Sequence, residues 1–399
     1  MIGARAAVGR ALVGALALAG VIAAAPSCRR PPAQPTGPRE PGPGSGGDGA
    51  VAVDAGVAVD AAPPIDAPPP RPPTWLRGST HVHAAPSGDA ILAPDKVMAW
   101  YRDHGYDFIV LTDHNRVTIV DPAYAPVGGR TSAAPADGPL VITGTELTYN
   151  PAACTEPDPP PGGKCRIHVN GLGVTARPVG RIEWADRKRR DRLGMYQAAL
   201  RYLTEAGGLI QINHPQWSWG MTPELLIALA GDGAALVEIG NVAFAAWNDG
   251  DASHPSPEAL WDAALRAGAR LWAVASDDAH SYGVAGGKYP AGGGWIMVDA
   301  ARDADAIVAA IAAGRFYAST GVALTWAGPV GDALVVEAAA DEPGPLLIDF
   351  VVDGVVAMST TDRAASFPLP AAPHYVRARV TRADGAHAWV QPAARPPAP

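Results

Sequence analysis

Positive charge is in short supply in this 399-residue sequence: 31 Lys and Arg stand against 39 Asp and Glu, a formal net charge of −8. No overall positive field exists to recruit nucleic acid or an anionic membrane surface, so a general polyanion binder is not expected. Cysteine is nearly absent, with Cys28, Cys154 and Cys165 the only three. The spacing of the last two matches no zinc knuckle, which weakens a thiolate metal site. No segment recurs at a period of about 20 to 50 residues, so solenoids and propellers are not expected. Apolar runs are short as well: the one from Ala11 to Ala25 falls below a comfortable membrane span.

Glycine and proline, by contrast, are plentiful at 45 and 41 residues, so part of the chain is expected to lie outside any packed core. Residues 1–28 read as an export signal, with Arg5 and Arg10 ahead of the apolar run and small residues after it. The end of that segment, Ala25-Pro26-Ser27-Cys28, resembles a bacterial lipoprotein cleavage site, which implies lipidation of Cys28; ordinary secretion is the alternative. In an oxidising compartment Cys154 and Cys165, which bracket a short Pro-rich loop, are expected to form one disulfide. Residues 29–74 hold almost no large apolar side chain and read as a disordered Pro/Gly/Ala linker, a tether.

From residue 75 the texture changes to short apolar runs alternating with helical segments, the pattern of repeated β-α units. Strands are expected at Phe108–Leu111, Leu140–Ile142, Leu209–Ile212, Leu236–Ile239 and Leu271–Val274. Thr222-Pro223-Glu224 and Ser256-Pro257-Glu258 each place a capping hydroxyl, a proline and an acid at a helix start, and Gly268 marks the end of the second helix. After Gly321 the helical signal stops. Leu334–Glu337, Leu346–Val352 and Tyr375–Val380 read as strands, with turns at Asp353-Gly354 and Asp384-Gly385. The expected division is therefore a domain of β-α units over 75–320 and a small β-sandwich-like domain over 321–399.

Metal-type ligands recur at the ends of these strands. The fragments are Gly78-Ser-Thr-His81-Val-His83, Asp89, Thr112-Asp113-His114-Asn115, Gly144-Thr-Glu146, His168-Val-Asn-Gly-Leu-Gly173, Asn213-His214-Pro215 and Ser276-Asp-Asp278-Ala-His280. In a β/α barrel, strand C-terminal ends converge on one face, so ligands distant in sequence can meet in one pocket. His81 and His83 lie two apart on a strand and face one side, and Asp278 and His280 repeat that spacing.

In this order the fragments resemble the PHP superfamily, named for polymerase and histidinol phosphatase. Asn241 after Leu-Val-Glu-Ile-Gly, with Gly314-Arg-Phe-Tyr-Ala-Ser-Thr-Gly321, is similar to the carbaryl-hydrolase-type branch. The resemblance implies an α/β fold, a distorted TIM-like (β/α)7 barrel of PHP type ahead of the C-terminal β domain. It also implies two or three divalent ions (Mn, Zn or Fe). His81, His83, Glu146 and Asp278 would hold the first. Glu146, as a bridge, would hold the second with His168 and His214; Asp89, His114 and His280 would hold a third. Asp89 stands one place along from the family's usual carboxylate, and Asp277 competes with Asp278, though only Asp278 keeps the D-x-H spacing. The implied catalytic residues are Glu146, His214 and Asp278, around a hydroxide shared by two ions.

Other residues carry two readings each. Asp113 either orients the His114 ring or accepts backbone hydrogen bonds at a strand end. His104 fits a helix end before Gly105, and His254, His374 and His387 read as surface residues. The basic run Arg187-Lys-Arg-Arg190 either steers an anionic substrate or forms a solvated helix face. Trp217, Trp219 and Trp247 either line the substrate pocket or belong to the core. The expected function is a metal-dependent phosphoesterase acting on a small ester, possible anionic character included, with no nucleic acid partner. Alternatives are a carboxylic ester or carbamate hydrolase on the same site, and a surface-anchored, non-catalytic metal-containing binding protein. The lipid anchor would be the sole membrane contact, leaving the protein in the cell envelope.

Overall fold

A computed structural model describes residues 73–124, 129–155, 163–175, 180–186, 188–283 and 287–395. The expected export signal, Cys28 and the linker up to residue 72 lie outside the described residues, as does Arg187. The fold is mixed α/β, with one large sheet and five α-helices among the described residues.

Its first strands are β1 (Trp75–Val82), β2 (Phe108–Leu111), β3 (Leu140–Tyr149), β4 (Ile167–Leu172), β5 (Leu209–Ile212), β6 (Leu236–Asn241) and β7 (Trp272–Ser276). They are rich in Val, Ile and Leu and almost wholly buried, as strands covered on both faces must be. β1, β2 and β3 pair in parallel, as do β5, β6 and β7, while β4 runs antiparallel between β3 and β5. The helices are α1 (Pro94–Asp103), α2 (Arg192–Glu205), α3 (Pro223–Gly231), α4 (Pro257–Arg266) and α5 (Ala304–Ala312). The caps act as the sequence indicates: Thr222 Oγ1 accepts from Leu225 N at 3.2 Å and Ser256 Oγ from Ala259 N at 3.1 Å.

The expected closed barrel is not found among the described residues. The lower edge of β1 is taken by β8 (Trp295–Asp299), antiparallel from Trp75 opposite Asp299 to Gly78 opposite Ile296. Only the far end of β1 is left to meet the β7 side, through the single parallel bridge Val82–Ala279. That bridge matters, because Ala279 N donates to His81 O and His83 N to Ala279 O, tying the segments that carry His81, His83, Asp278 and His280 together.

Past residue 315 the large sheet continues instead of stopping. β9 (Phe316–Ser319) pairs with β8, and the order then runs through β16 (His387–Ala393), β15 (Val376–Arg382) and β12 (Leu346–Val352) to β13 (Val355–Thr360). A second, three-stranded sheet is formed by β10 (Leu324–Val330), β11 (Ala333–Ala338) and β14 (Ala364–Pro368). Leu334, Val336, Ile348, Phe350, Val376 and Val380 belong to one buried core there, separate from the larger core that α2 to α5 cover. A buried polar network also crosses from α4 to the late strands. Arg377 Nε and Nη2 donate to Asp262 at 2.8 and 2.7 Å, and the Tyr375 hydroxyl donates to the same carboxylate at 2.8 Å.

Candidate metal centre

The expected ligands meet at one end of β1 to β7. His81 and His83 close β1, His114 follows β2, His214 follows β5, and Asp278 and His280 follow β7. His168 reaches the same end by a different route. β4 is antiparallel, so its first residues, not its last, lie on that face, with His168 opposite Thr148. His214 and Asp278 hold left-handed backbone conformations, at φ 25° and 47°, as does Asn115 at 51°. Non-glycine residues adopt these only where surrounding structure over-determines them, which is common at functional sites.

Glu146 stands at the centre. Its carboxylate is wholly buried, with Oε1 2.8 Å from His168 Nδ1, 3.5 Å from His81 Nε2 and 3.6 Å from His214 Nε2. Oε2 lies 2.7 Å from His114 Nδ1 and 3.5 Å from His83 Nε2. Asp278 Oδ1 sits 3.1 Å from His81 Nε2 and 3.2 Å from His83 Nε2. The shifted Asp89 reaches the third group despite its place in sequence, with Oδ2 3.0 Å from His114 Nε2 and 3.3 Å from His280 Nε2. Donor atoms within 4.8 Å of one another form three sets: His81, His83 and Glu146; Glu146, His168 and His214; and His83, Asp89, His114 and His280. His83 thus belongs to two sets, where the resemblance implies one.

This donor set fits divalent cations. Two ligands bound about 2.1 Å from one tetrahedral ion lie about 3.4 Å apart, close to the separations of Glu146 from His81 and His83. His81 Nε2, His83 Nε2, Asp278 Oδ1 and His280 Nε2 are buried and make no well-formed hydrogen bond, and buried polar atoms left so are rare unless something else binds them. Mixed imidazole and carboxylate donors could hold Zn²⁺, Mn²⁺ or Fe²⁺.

The electrostatics are those of a cluster needing added positive charge. Burial opposes ionisation of His81, yet Asp278, Glu238 and Glu146 hold its pKa well above the ordinary value. For His114, Glu146 and Asp89 outweigh burial and push it up to about 10. His83 goes the other way, to about 3, through burial and its neighbours His280 and His114. Against burial, His168, His114 and His81 keep Glu146 well below the usual carboxylate range. The same contrast separates the two neighbouring aspartates. Burial lifts Asp277 to about 7 while it accepts from Gly292 N and Ser79 Oγ; Asp278 is held far lower by His81 and His83. Asp278 is the one that faces His81 and His83, although it belongs to none of the three donor sets.

A supporting layer went unread in the sequence. Glu238 accepts from His81 Nδ1 at 2.7 Å, His214 N at 2.6 Å, Ser276 Oγ at 2.6 Å and Asn241 Nδ2 at 3.0 Å. Its signal was present: an acid in the middle of the apolar strand Leu236-Val-Glu-Ile239 must be buried or paired. Ser87 Oγ lies 2.8 Å from His83 Nδ1 and accepts from His114 N at 3.1 Å, and Asn213 Nδ2 donates to Glu146 Oε1 at 2.9 Å. Such contacts fix ring orientation and ligand basicity.

The residues with two readings divide clearly. Asp113 accepts from Ala84 N at 2.7 Å and from the Thr118 hydroxyl, a strand-end role. His104 caps α1 and stacks on Trp100. His374 is exposed, but His254 and His387 are half-buried, His254 stacked on Trp219 with centroids 4.4 Å apart. Of the tryptophans, Trp217 touches the centre, 5.0 Å from the His168 ring and 5.2 Å from His214; Trp219 and Trp247 stand behind it. Lys188 to Arg190 precede α2 instead of forming a helix face, with Arg189 paired to Asp191.

Cys154 and Cys165 form the expected disulfide, their Cα atoms 6.1 Å apart, which is consistent with an exported protein. No helix among the described residues is long and apolar enough to cross a membrane. Compared with known protein-family models the chain matches none, and no curated protein matches it.

Proposed function

We propose that this chain is a metal-dependent hydrolase of the PHP type, a phosphoesterase by preference, built on two or three divalent ions. The observation that carries the reading is convergence on Glu146: its two oxygens face imidazoles of all three donor sets, in a buried space where facing atoms lack hydrogen-bond partners. Purely structural sites rarely need so many shared donors. Divalent ions held there supply a nucleophile at neutral pH, by lowering the pKa of water, and Lewis acidity toward an ester oxygen.

The chain's own residues do the positioning. His81, His83 and Asp278 hold the first set, Glu146 joins it to His168 and His214, and Asp89 with His114 and His280 completes the third. Glu238 holds the Nδ1 proton of His81, which aims the Nε2 lone pair at the centre. Trp217, with Phe244 4.7 Å from the His214 ring and Tyr289 5.3 Å from His280, walls the site against water. That wall also favours a second reading, hydrolysis of an aryl or alkyl carboxylic ester or carbamate, because it offers an apolar surface to a leaving group.

Mn²⁺- or Zn²⁺-loaded protein is to be assayed on nitrophenyl phosphate, bis-nitrophenyl phosphate, naphthyl acetate and a naphthyl carbamate. The expected result is phosphoester hydrolysis that Glu146→Ala and His214→Ala abolish. Activity confined to acetate and carbamate moves the assignment to the second reading. Wild-type rates in both variants on every substrate sink the enzyme reading in favour of a non-catalytic binding protein. The same proposal places the protein in the cell envelope, tethered through a lipidated Cys28.

A further inference from the structure

The fold seals in two arginines, and they are treated differently. Arg377 is fully buried and held by Asp262 and Glu258. Arg192 is equally buried, yet Nε, Nη1 and Nη2 all lack a hydrogen-bond partner among the described residues, and its guanidinium has the Tyr196 ring 6.0 Å away. The adjacent Asp191 does not serve it: that carboxylate caps α2 through Gly194 N at 2.8 Å and takes Arg189 Nε at 2.6 Å. A guanidinium cannot shed its charge, so burying one unpaired carries a heavy desolvation penalty. An anion arriving from outside would relieve that penalty.

The surroundings say what that partner is. Arg192 lines a narrow cleft with Arg166, His168, Tyr196, His214 and Trp217, and among the described residues no carboxylate lines it. Arg166 Nε is also buried without a partner, and its guanidinium lies 4.5 Å over the Trp217 ring. Gly220 closes the cleft on another side, where a Cβ would meet Lys164 O at 3.1 Å and Trp217 O at 3.3 Å. The opening between the side chains is about the size of one oxygen-sized group, so an anion enters by an oxygen, not by its whole body. His168 and His214, on the same cleft, are the second donor set of the metal centre.

We propose that Arg192, with Arg166 at the rim, is an oxyanion subsite beside the His168–His214 donor set and takes an oxygen of a phosphate group. The planar guanidinium fork suits phosphate oxygens. The inference deepens the phosphoesterase reading and rests on it only for the bond broken, since phosphate can bind without turnover.

The test is calorimetric titration of inorganic phosphate, with acetate as a parallel ligand, into Zn²⁺-loaded full-length wild type, Arg192→Met, Arg192→Lys and Arg166→Met. In Arg192→Met, phosphate affinity is expected to fall by about 10-fold or more, with unchanged zinc content and a melting temperature no lower than wild type. Arg192→Lys should lose less, and Arg166→Met should weaken phosphate at the rim. Unchanged phosphate affinity in Arg192→Met overturns the proposal, as does a lowered melting temperature at unchanged affinity, which makes Arg192 structural. If Arg192→Met does not fold, unchanged affinity in both other variants overturns it. Acetate bound as tightly as phosphate with the same Arg192 dependence overturns the phosphate assignment. Arg192-dependent phosphate binding without turnover on any ester sinks the hydrolase reading and leaves the subsite standing; turnover with Arg192-independent binding does the reverse.

Discussion

His81 Nδ1 lies 2.7 Å from Glu238 Oε1, and both side chains are wholly excluded from solvent. The pair fixes which imidazole nitrogen carries the proton and which faces Asp278 and Glu146. Glu238→Ala is therefore expected to lower metal affinity by about 10- to 100-fold, measured by competition with a chromogenic chelator. Glu238→Gln, which keeps the shape but not the charge, should fall between that variant and wild type. Equal affinity in all three would show that the pair only packs.

Metal uptake should expel protons. Neighbouring carboxylates raise the pKa of His81 and push that of His114 up to about 10, so both bind protons more tightly without metal than a free imidazole does. A ligand imidazole must be neutral, so binding competes with protons and apparent affinity rises with pH. Zinc titrations in two buffers of different ionisation enthalpy should give different apparent heats, the difference reporting net proton release. Identical heats would contradict the protonation described.

Chelation should destabilise the protein. The buried donors repel or stay unpaired once ions are removed, so EDTA treatment is expected to lower the melting temperature, and Mn²⁺ or Zn²⁺ to restore it. Glu146→Ala, which cuts into two donor sets, should flatten that response.

The Cys154–Cys165 bridge closes a short loop, with a sequence separation of 11, ahead of the strand that carries His168. Replacing both with serine is expected to destabilise by about 2–4 kcal/mol, read from urea unfolding. Reductant should shift wild type toward the double variant and leave the variant unmoved.

Asp262 holds Arg377 through two hydrogen bonds across the junction of α4 and β15. Asp262→Ala strands that guanidinium and should destabilise by about 3–5 kcal/mol, whereas Asp262→Ala with Arg377→Met should recover much of the loss. Denaturant melts of the three proteins separate this from simple cavity formation, in which the double variant would be the worst.

Much of the layout was legible from local signals. Phe108–Leu111 and Leu209–Ile212 are strands with the bounds the apolar runs suggest, and the Ser/Thr-Pro-Glu segments do start α3 and α4. These succeed because strand period, capping hydroxyls and proline geometry act within a few residues. The barrel failed to close for a reason outside that range: β8, over 200 residues along the chain, takes the β1 edge that closure requires. The same holds for the β tail, whose strands join the large sheet through β16 pairing with β9.

For the centre, sequence alone determined the candidate donor types, their order and their positions near strand ends, because a D-x-H or H-x-H spacing sets which side chains share a face. It did not determine which donor sets form, because these depend on strand direction and on contacts between distant segments. Only tertiary structure put His168 on the common face through an antiparallel strand, gave His83 to two sets, brought the displaced Asp89 to His114 and His280, and buried Glu238 against His81. It alone decided that Arg192 would be buried without a partner beside them. Burial and pairing are properties of what surrounds a residue in space, and no local pattern along the chain encodes them.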